Sequence, residues 1–555
     1  MRAGLSQVRE WFPGRAGDAS EAVVVAAREF RAAMDEVGRA VDQAMAQWSG
    51  AAATAASLRA LESQLAANHI GAAVVDIADA LADAAGLSEV CALVRGIEAE
   101  AVAGGCVVEE DGTVVPPRVE TGNAAADLTL QWHFDETAAT LQARLVPLLE
   151  TAGDTDREVG ERLAAGVTAL GELAGAPRGG TLRSRVTGIL DGTDMLPEDP
   201  KALCAFWETL SPAEQDALFA FDPGIGNRDG IPVVARDYYN RADLERLRAA
   251  ATGDLAALDA QHPGWAGREE LPDTVREWNH LQRWESQRVE LRTRLADYQA
   301  VASEIGADAG SRYLLAVDDR GRGAIAVNNP DAARNIATFV PGTDSPLRNI
   351  GWGTARAAAL VSAAGRADAS ARTAAVAWYG YQAPPDLAAA TQDRYADDGA
   401  PLLDRFQDGL RATHDGAPSH NTVVGHSYGT TVIGVAAGSG SLAADAVVLA
   451  GSPGVEAERV TELHLDGIAS EHVHERVFAT ADPGDPIPVL GPFVHGPDPA
   501  DPDFGARVFE SAAPTLDLPL LRGVPLDPWV HGRYWESGNP GLYTQGRIIA
   551  GTYDR

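Results

Sequence analysis

The stretch TVVGHSYGTTVIGVAA, residues 422–437, decides how the second half of this chain folds. Two apolar residues, Val423 and Val424, lead into Gly425-His426-Ser427-Tyr428-Gly429, and a run of small and β-branched residues leads out. The order is strand, sharp turn, helix, with a serine at the turn. G-x-S-x-G in that setting is a nucleophile elbow, in which a strained backbone pushes the serine hydroxyl to the tip of the turn. The residues two before and two after the serine must be tiny, because strand and helix nearly touch there. The five-letter pattern alone is common, so its specificity lies in the flanks.

Around the elbow, from about residue 311, strand-like and helix-like runs alternate. RYLLAV (312–317), GAIAV (323–327), NIATFV (335–340) and TAAVAWYGY (373–381) come first, then a helix near 386–412. NTVVG, the elbow helix, DAVVLAG (445–451) and RVFAT (476–480) follow. This alternation predicts an α/β sheet with parallel central strands and helices on both faces. The preceding half reads as helix over about 20–103, 125–174, 200–255 and 273–305. Phe30, Met34, Val37, Val41, Met45 and Trp48 share one face of the first run, and Leu58, Leu61 and Leu65 one face of the next. Trp48-Ser49-Gly50 breaks the two apart. Asp111-Gly112 between β-branched pairs predicts a small hairpin over 107–115, and Pro116-Pro117 mark a boundary. The expected division is a helical hairpin over 1–117, a further helical region over 118–305 and an α/β catalytic domain over 306–555.

Composition excludes several classes. A net charge of −34 repels phosphate backbones and anionic membrane surfaces, so no nucleic acid is expected as a partner. No apolar run approaches the roughly 20 residues of a membrane span, so no integral membrane segment is expected. The opening MRAGLSQVREWFPG lacks a basic segment followed by an apolar one, so no ordinary signal peptide is expected. Cytoplasmic residence and export by another route both stay open. The three cysteines, Cys91, Cys106 and Cys204, have no metal-ligand spacing. Cys91 and Cys106 could bridge in an exported protein; buried reduced thiols are the expectation. His472-Val473-His474 puts two imidazoles on one strand face without a third ligand, and Asp498, Asp501 and Asp503 read as a solvated loop. No metal or cofactor is therefore expected. Tyr239-x-x-x-Asp243 matches a secretion signal in letters but lies inside a helical run.

A serine hydroxyl attacks only when a base takes its proton. After an elbow the partners follow in chain order, acid and then histidine. Asp482 and Asp485 both sit on the loop after RVFAT, and His495 and His531 are the histidines beyond it. The oxyanion that forms needs two donors, the N–H of Tyr428 and one from Thr343 after the strand 335–340. Trp378, Tyr379 and Tyr381 are candidates to line a substrate pocket, and the Pro- and Gly-rich segment 491–528 is a candidate lid.

Three separated motifs resemble those of fungal-type (class 3) lipases. VPGTDSPLRN at 340–349 resembles their oxyanion segment, with Pro341 in place of the usual arginine. GHSYG resembles their elbow. DPIP at 485–488, with His531, Tyr534 and Trp535 in H-x-x-Y-W, resembles their acid loop and C-terminal histidine. That resemblance implies Ser427, Asp485 and His531 as the triad. A broader one covers GIGNRDGIPVVARDYYNR (224–241), FVPGTDSP (339–346), AWYGYQAP (377–384), GHSYGTT (425–431) and GSPG (451–454). These elements look like an actinobacterial α/β-hydrolase family that has no defined substrate. It implies an α/β-hydrolase domain at the C-terminus behind a mostly α-helical N-terminal half. The Trp-Ser-Gly bend resembles the WXG-type helical proteins of type VII secretion, which implies a possible protein partner for the N-terminal helices. The expected activity is serine hydrolysis of a small-molecule ester or acyl substrate. The alternative is an exported or assembly-related interaction protein with a weakly active or inactive hydrolase scaffold.

Overall fold

The computed structural model describes residues 2–45, 51–175, 182–266, 274–307, 311–490, 494–511 and 530–554. The chain divides into two compact units, Met1–Gly179 and Gly180–Arg555. The helices from Ser184 to Ala307 therefore belong with the sheet.

In the first unit, helix Ala51–Ala103 packs against both Gly14–Met45 and Ala124–Gly175. Leu87, Val90 and Val94 meet Leu141, Leu145 and Leu149, each set spaced three or four apart so that one stripe faces the core. The 107–115 hairpin forms as expected, with Val107–Val108 antiparallel to Val114–Val115 and Gly112 at φ 86° in the turn. Trp48-Ser49-Gly50 lies outside the described residues. Phe30, expected on the apolar face of its helix, is exposed. Cys91, Cys106 and Cys204 are free and buried.

Among the described residues the second unit is built on eight strands. They are β1 (Arg312–Val317), β2 (Gly323–Val327), β3 (Asn335–Val340), β4 (Thr373–Tyr379), β5 (His420–His426), β6 (Ala446–Ala450), β7 (Val477–Thr480) and β8 (Arg507–Val508). Their order across the sheet is β8-β7-β6-β5-β3-β4-β2-β1. Only β2 runs against its neighbours; the pairings from β4 to β8 are all parallel. β3, β4, β6 and β7 are buried at every position, which is what helices on both faces of a parallel sheet require. This is an α/β-hydrolase architecture.

The 224–241 segment explains how the β1 edge is protected. An edge strand exposes unpaired N–H and C=O groups that invite pairing with another chain. Here Asn227 exchanges two bonds of 2.8 Å with Val317, Asp237 accepts from the Leu314 N–H at 2.6 Å, and Asn240 donates to the Leu314 carbonyl at 3.2 Å. Arg236 and Arg241 cap the Leu315 and Arg312 carbonyls at 2.9 and 2.8 Å. Side chains of the 3₁₀ turn Pro223–Asn227 and of helix Val233–Gln261 thus stand in for a further strand.

The helical run expected over 200–255 is divided where its punctuation says. Asp199 caps Pro200–Glu208, and Ser211 with Glu214 forms a capping box for Pro212–Phe221. Val233–Gln261 follows Pro232. Two local expectations change. His472 and His474 sit on a 3₁₀ turn, Ser470–Glu475, rather than a strand, because β7 begins only at Val477. Within the expected lid, Arg507–Val508 is the edge strand β8, parallel to β7; 491–493 and 512–528 lie outside the described residues.

Candidate active site

Strand register brings the relevant loops to one edge of the sheet. Val340 pairs with Gly425, His426 with Ala450, and Ala450 with Thr480. β3, β5, β6 and β7 therefore end side by side, and everything that follows them projects from the carboxyl edge. That edge is where α/β sheets carry their sites.

Ser427 is the first residue past β5 and the N-cap of helix Tyr428–Ser439. Its backbone sits at φ 55°, ψ −131°, a strained conformation for a residue with a side chain. Its N–H donates to the Ala450 carbonyl at 3.0 Å, which anchors the turn. The flanking glycines are required by contact. A Cβ on Gly429 would lie 2.2 Å from the Val340 carbonyl oxygen, and one on Gly425 would lie 2.7 Å from Ile433 Cδ1. Gly342 approaches equally closely: a Cβ there would be 2.6 Å from Ser427 Cβ and 2.9 Å from the Tyr428 nitrogen. The segment after β3 is thereby pressed against the elbow. Tyr428 opens its helix, so its N–H lacks an intrahelical acceptor. Among the described residues neither that N–H nor that of Thr343 has a hydrogen-bond partner.

Asp485 and His531 meet. The His531 Nδ1–H donates to Asp485 Oδ2 at 2.8 Å. Asp485 is 1% exposed and accepts two further bonds, from the Tyr534 hydroxyl to Oδ2 at 2.6 Å and from the Ile487 N–H to Oδ1 at 2.9 Å. Burial, with Asp485 beside it, raises the Tyr534 phenol well above its ordinary range, so it remains a donor. Gly451 makes the pairing possible. It stands at φ 57°, and a Cβ on it would meet Asp485 Oδ2 at 2.8 Å and His531 Nδ1 at 3.1 Å. Asp482 turns elsewhere, its Oδ1 accepting from the Gly484 N–H at 3.0 Å.

Two residues not singled out by the sequence hold the histidine loop. The buried His426 donates its Nε2–H to the His531 carbonyl at 2.7 Å, and the two rings stand 4.5 Å apart. Burial, followed by His531 and Arg356, drives the His426 pKa well below normal and keeps the ring neutral. Arg356 donates to the Gly532 carbonyl at 3.0 Å while its guanidinium lies over the Trp352 and Trp535 rings. Burial lowers its pKa to about 9, so it stays charged at neutral pH. Ser427 and His531 are thus linked through His426; among the described residues no hydrogen bond joins Ser427 Oγ to the His531 ring.

Trp378, Tyr379 and Tyr381 are core side chains, 3%, 2% and 4% exposed. Tyr381 donates to the Pro341 carbonyl at 2.7 Å and Tyr379 to the Asn349 carbonyl at 3.1 Å, so both hold the segment that follows β3. His495 is held apart from the pair, its ring nitrogens 2.6 Å from Glu456 Oε1 and from the Ala390 carbonyl. Asp498 and Asp501 close tight turns, accepting from the Ala500 and Asp503 N–H groups at 2.9 Å. Tyr239 is buried, with its hydroxyl bonded to Asp216 at 2.9 Å.

The sheet order, the left-handed serine and the loops at the carboxyl edge define an α/β hydrolase. A family model described as alpha/beta hydrolase matches residues 317–495. Uncharacterized protein Rv2079 of Mycobacterium tuberculosis is 32% identical over 399 residues, which cover 63% of this chain and 55% of that protein. The chain thus spans little more than half the length of that relative. Uncharacterized protein Mb0988c of Mycobacterium bovis is 32% identical over 216 residues, 37% of this chain and 79% of its own. The chain belongs to the α/β-hydrolase family. Among the described residues no helix is long and apolar enough to cross a membrane.

Proposed function

We propose that this protein is a serine hydrolase that cleaves carboxylic esters through an acyl-enzyme, with Ser427 as nucleophile, His531 as base and Asp485 as orienting acid. The observation that carries the reading is the buried Asp485–His531 pair at 2.8 Å, at the same sheet edge as a serine in elbow geometry. In the reaction, Ser427 Oγ attacks the ester carbonyl while His531 Nε2 takes its proton. Asp485 accepts from Nδ1–H, which fixes the tautomer and stabilises the imidazolium. The tetrahedral oxyanion is received by the N–H groups of Tyr428 and Thr343; losing one such donor typically costs about a hundred- to a thousandfold in rate. His531 then protonates the departing alcohol, and water repeats the sequence to release the acid. No metal or cofactor enters these steps. An apo site often holds its catalytic hydrogen bonds loosely and tightens them around substrate, which accommodates the open Ser427–His531 link.

The test is turnover of a panel of p-nitrophenyl esters of increasing acyl length by wild type and by Ser427→Ala. Hydrolysis by wild type alone supports the reading. A folded wild type inert to the whole panel favours the interaction-protein alternative, in which the N-terminal helices bind a protein partner.

A further inference from the structure

His495 raises a separate question of charge. The imidazole is 2% exposed, and its Nε2 lies 2.6 Å from the Ala390 carbonyl oxygen. A carbonyl only accepts, so Nε2 carries a proton and donates it there. The other nitrogen, Nδ1, faces Glu456 Oε1 at 2.6 Å and Asp393 Oδ1 at 3.5 Å. Carboxylate oxygens also only accept. A buried lone pair aimed at two carboxylates is repulsive unless a cation lies among the three atoms. A proton on Nδ1 answers Glu456, yet two carboxylates and one imidazolium still leave a net charge of −1. A divalent ion with a neutral imidazole brings the group to zero. Among the described residues neither carboxylate has an arginine or lysine partner that would do this instead.

We propose that His495 Nδ1, Glu456 and Asp393 bind a divalent transition-metal ion of the Zn2+ type. One imidazole and two carboxylates form a borderline donor set that suits zinc, with a remaining position for water. The three ligand atoms lie within 4.8 Å of one another. Tetrahedral zinc with ligands at about 2.0–2.1 Å spaces them roughly 3.3 Å apart. The His495–Asp393 separation already fits, and Glu456, whose side chain is 31% exposed, has room to draw back. The Ala390 carbonyl plays the part of the outer partner that fixes the tautomer of a metal-bound histidine.

The ion would tie together three segments: the 389–393 turn, the turn at Glu456 and the stretch around His495. Two of them, the 389–393 turn and the stretch at His495, contact Tyr428, the residue after the candidate nucleophile. The Tyr428 ring stands edge-on to the His495 ring at 5.3 Å, and its hydroxyl donates to the Gln392 carbonyl at 2.6 Å. The site is thus a clamp around the elbow rather than a reacting centre, and it is independent of the esterase reading.

The test uses the full chain without a histidine tag, stripped with a chelator and titrated with Zn2+ by calorimetry alongside thermal melting. The expected result is one Zn2+ per chain in the micromolar range or tighter, with a raised melting temperature. Asp393→Asn and Glu456→Gln, both at partly exposed side chains, should each weaken binding by about tenfold or more. The double variant His472→Ala/His474→Ala should bind as wild type does. Absence of saturable binding to folded wild type at millimolar Zn2+ overturns the proposal. So does binding that survives both carboxylate variants, or that is lost with His472 and His474.

Discussion

Alanine in place of Gly451 should separate the two halves of the Asp485–His531 pair while leaving every reacting group in the protein. The new Cβ would sit 2.8 Å from Asp485 Oδ2, 3.0 Å from Tyr534 Cε2 and 3.1 Å from His531 Nδ1, where ordinary contact begins at 3.4 Å. Relief therefore demands a displacement of roughly half an ångström. The carboxylate cannot swing aside cheaply, because His531, Tyr534 and the Ile487 N–H all hold it. A misplacement of about 1 Å in a catalytic array costs about a hundredfold, so half of that should lower kcat by roughly tenfold or somewhat more. The left-handed φ of 57° adds about 1–2 kcal/mol of backbone strain for a residue with a Cβ, and the overlap about 1–3 kcal/mol more. The assay pairs ester turnover with urea unfolding of the same preparation. A Gly451→Ala variant that is folded and turns over at the wild-type rate would show that this contact does not set the Asp485–His531 geometry.

Asp485→Asn should keep the fold but favour the wrong His531 tautomer, lowering kcat by about a thousand- to ten-thousandfold in the same ester assay. Arg356 is a buried cation with no carboxylate partner among the described residues, and its Nη1 is unbonded. Arg356→Met should therefore maintain or raise the melting temperature while kcat falls about tenfold as the Gly532 carbonyl loses its anchor; a fall in both would contradict this. Burial pushes the Asp331 carboxyl up to about 7, against opposing bonds from Thr413 and the Val233 N–H. The folded state thus keeps this proton over a range where the unfolded chain has lost it, so its stabilising contribution is full below about pH 4 and lost as pH rises to about 7. The unfolding free energy of wild type relative to Asp331→Asn should fall by a few kcal/mol, in order of magnitude, across that window; a flat difference in urea titrations would exclude it.

The parts of the fold that are local in sequence were legible. Alternating apolar runs from 312 onward gave the strands, and the glycines at 425 and 429 gave the elbow, because steric contact dictates both. Prolines and caps at 199–200, 211–212 and 232 mark where one helical run becomes several. The His472-Val473-His474 stretch misled because alternation over three residues does not distinguish a strand from a 3₁₀ turn. Spacing left two acids and two histidines open, and motif resemblance chose Asp485 and His531; in the structure these two meet, while His495 pairs with Glu456. What the sequence did not offer was long-range. Tyr534 on Asp485, His426 on the His531 carbonyl, Arg356 on Gly532 and the Asn227–Asn240 cover of β1 all join residues that only the fold brings together. The aromatics at 378, 379 and 381 were candidates for lining although a strand end more often makes them core edge, and the bonded hydroxyls of Tyr379 and Tyr381 emerge only once the sheet closes over them.

Whether Ser427 is an activated nucleophile is read most directly by intact-mass analysis after treatment with a fluorophosphonate, comparing wild type with Ser427→Ala. An activated serine should give one covalent adduct on wild type and none on the variant. A folded wild type that takes up no adduct, or an adduct that persists in Ser427→Ala, would contradict it.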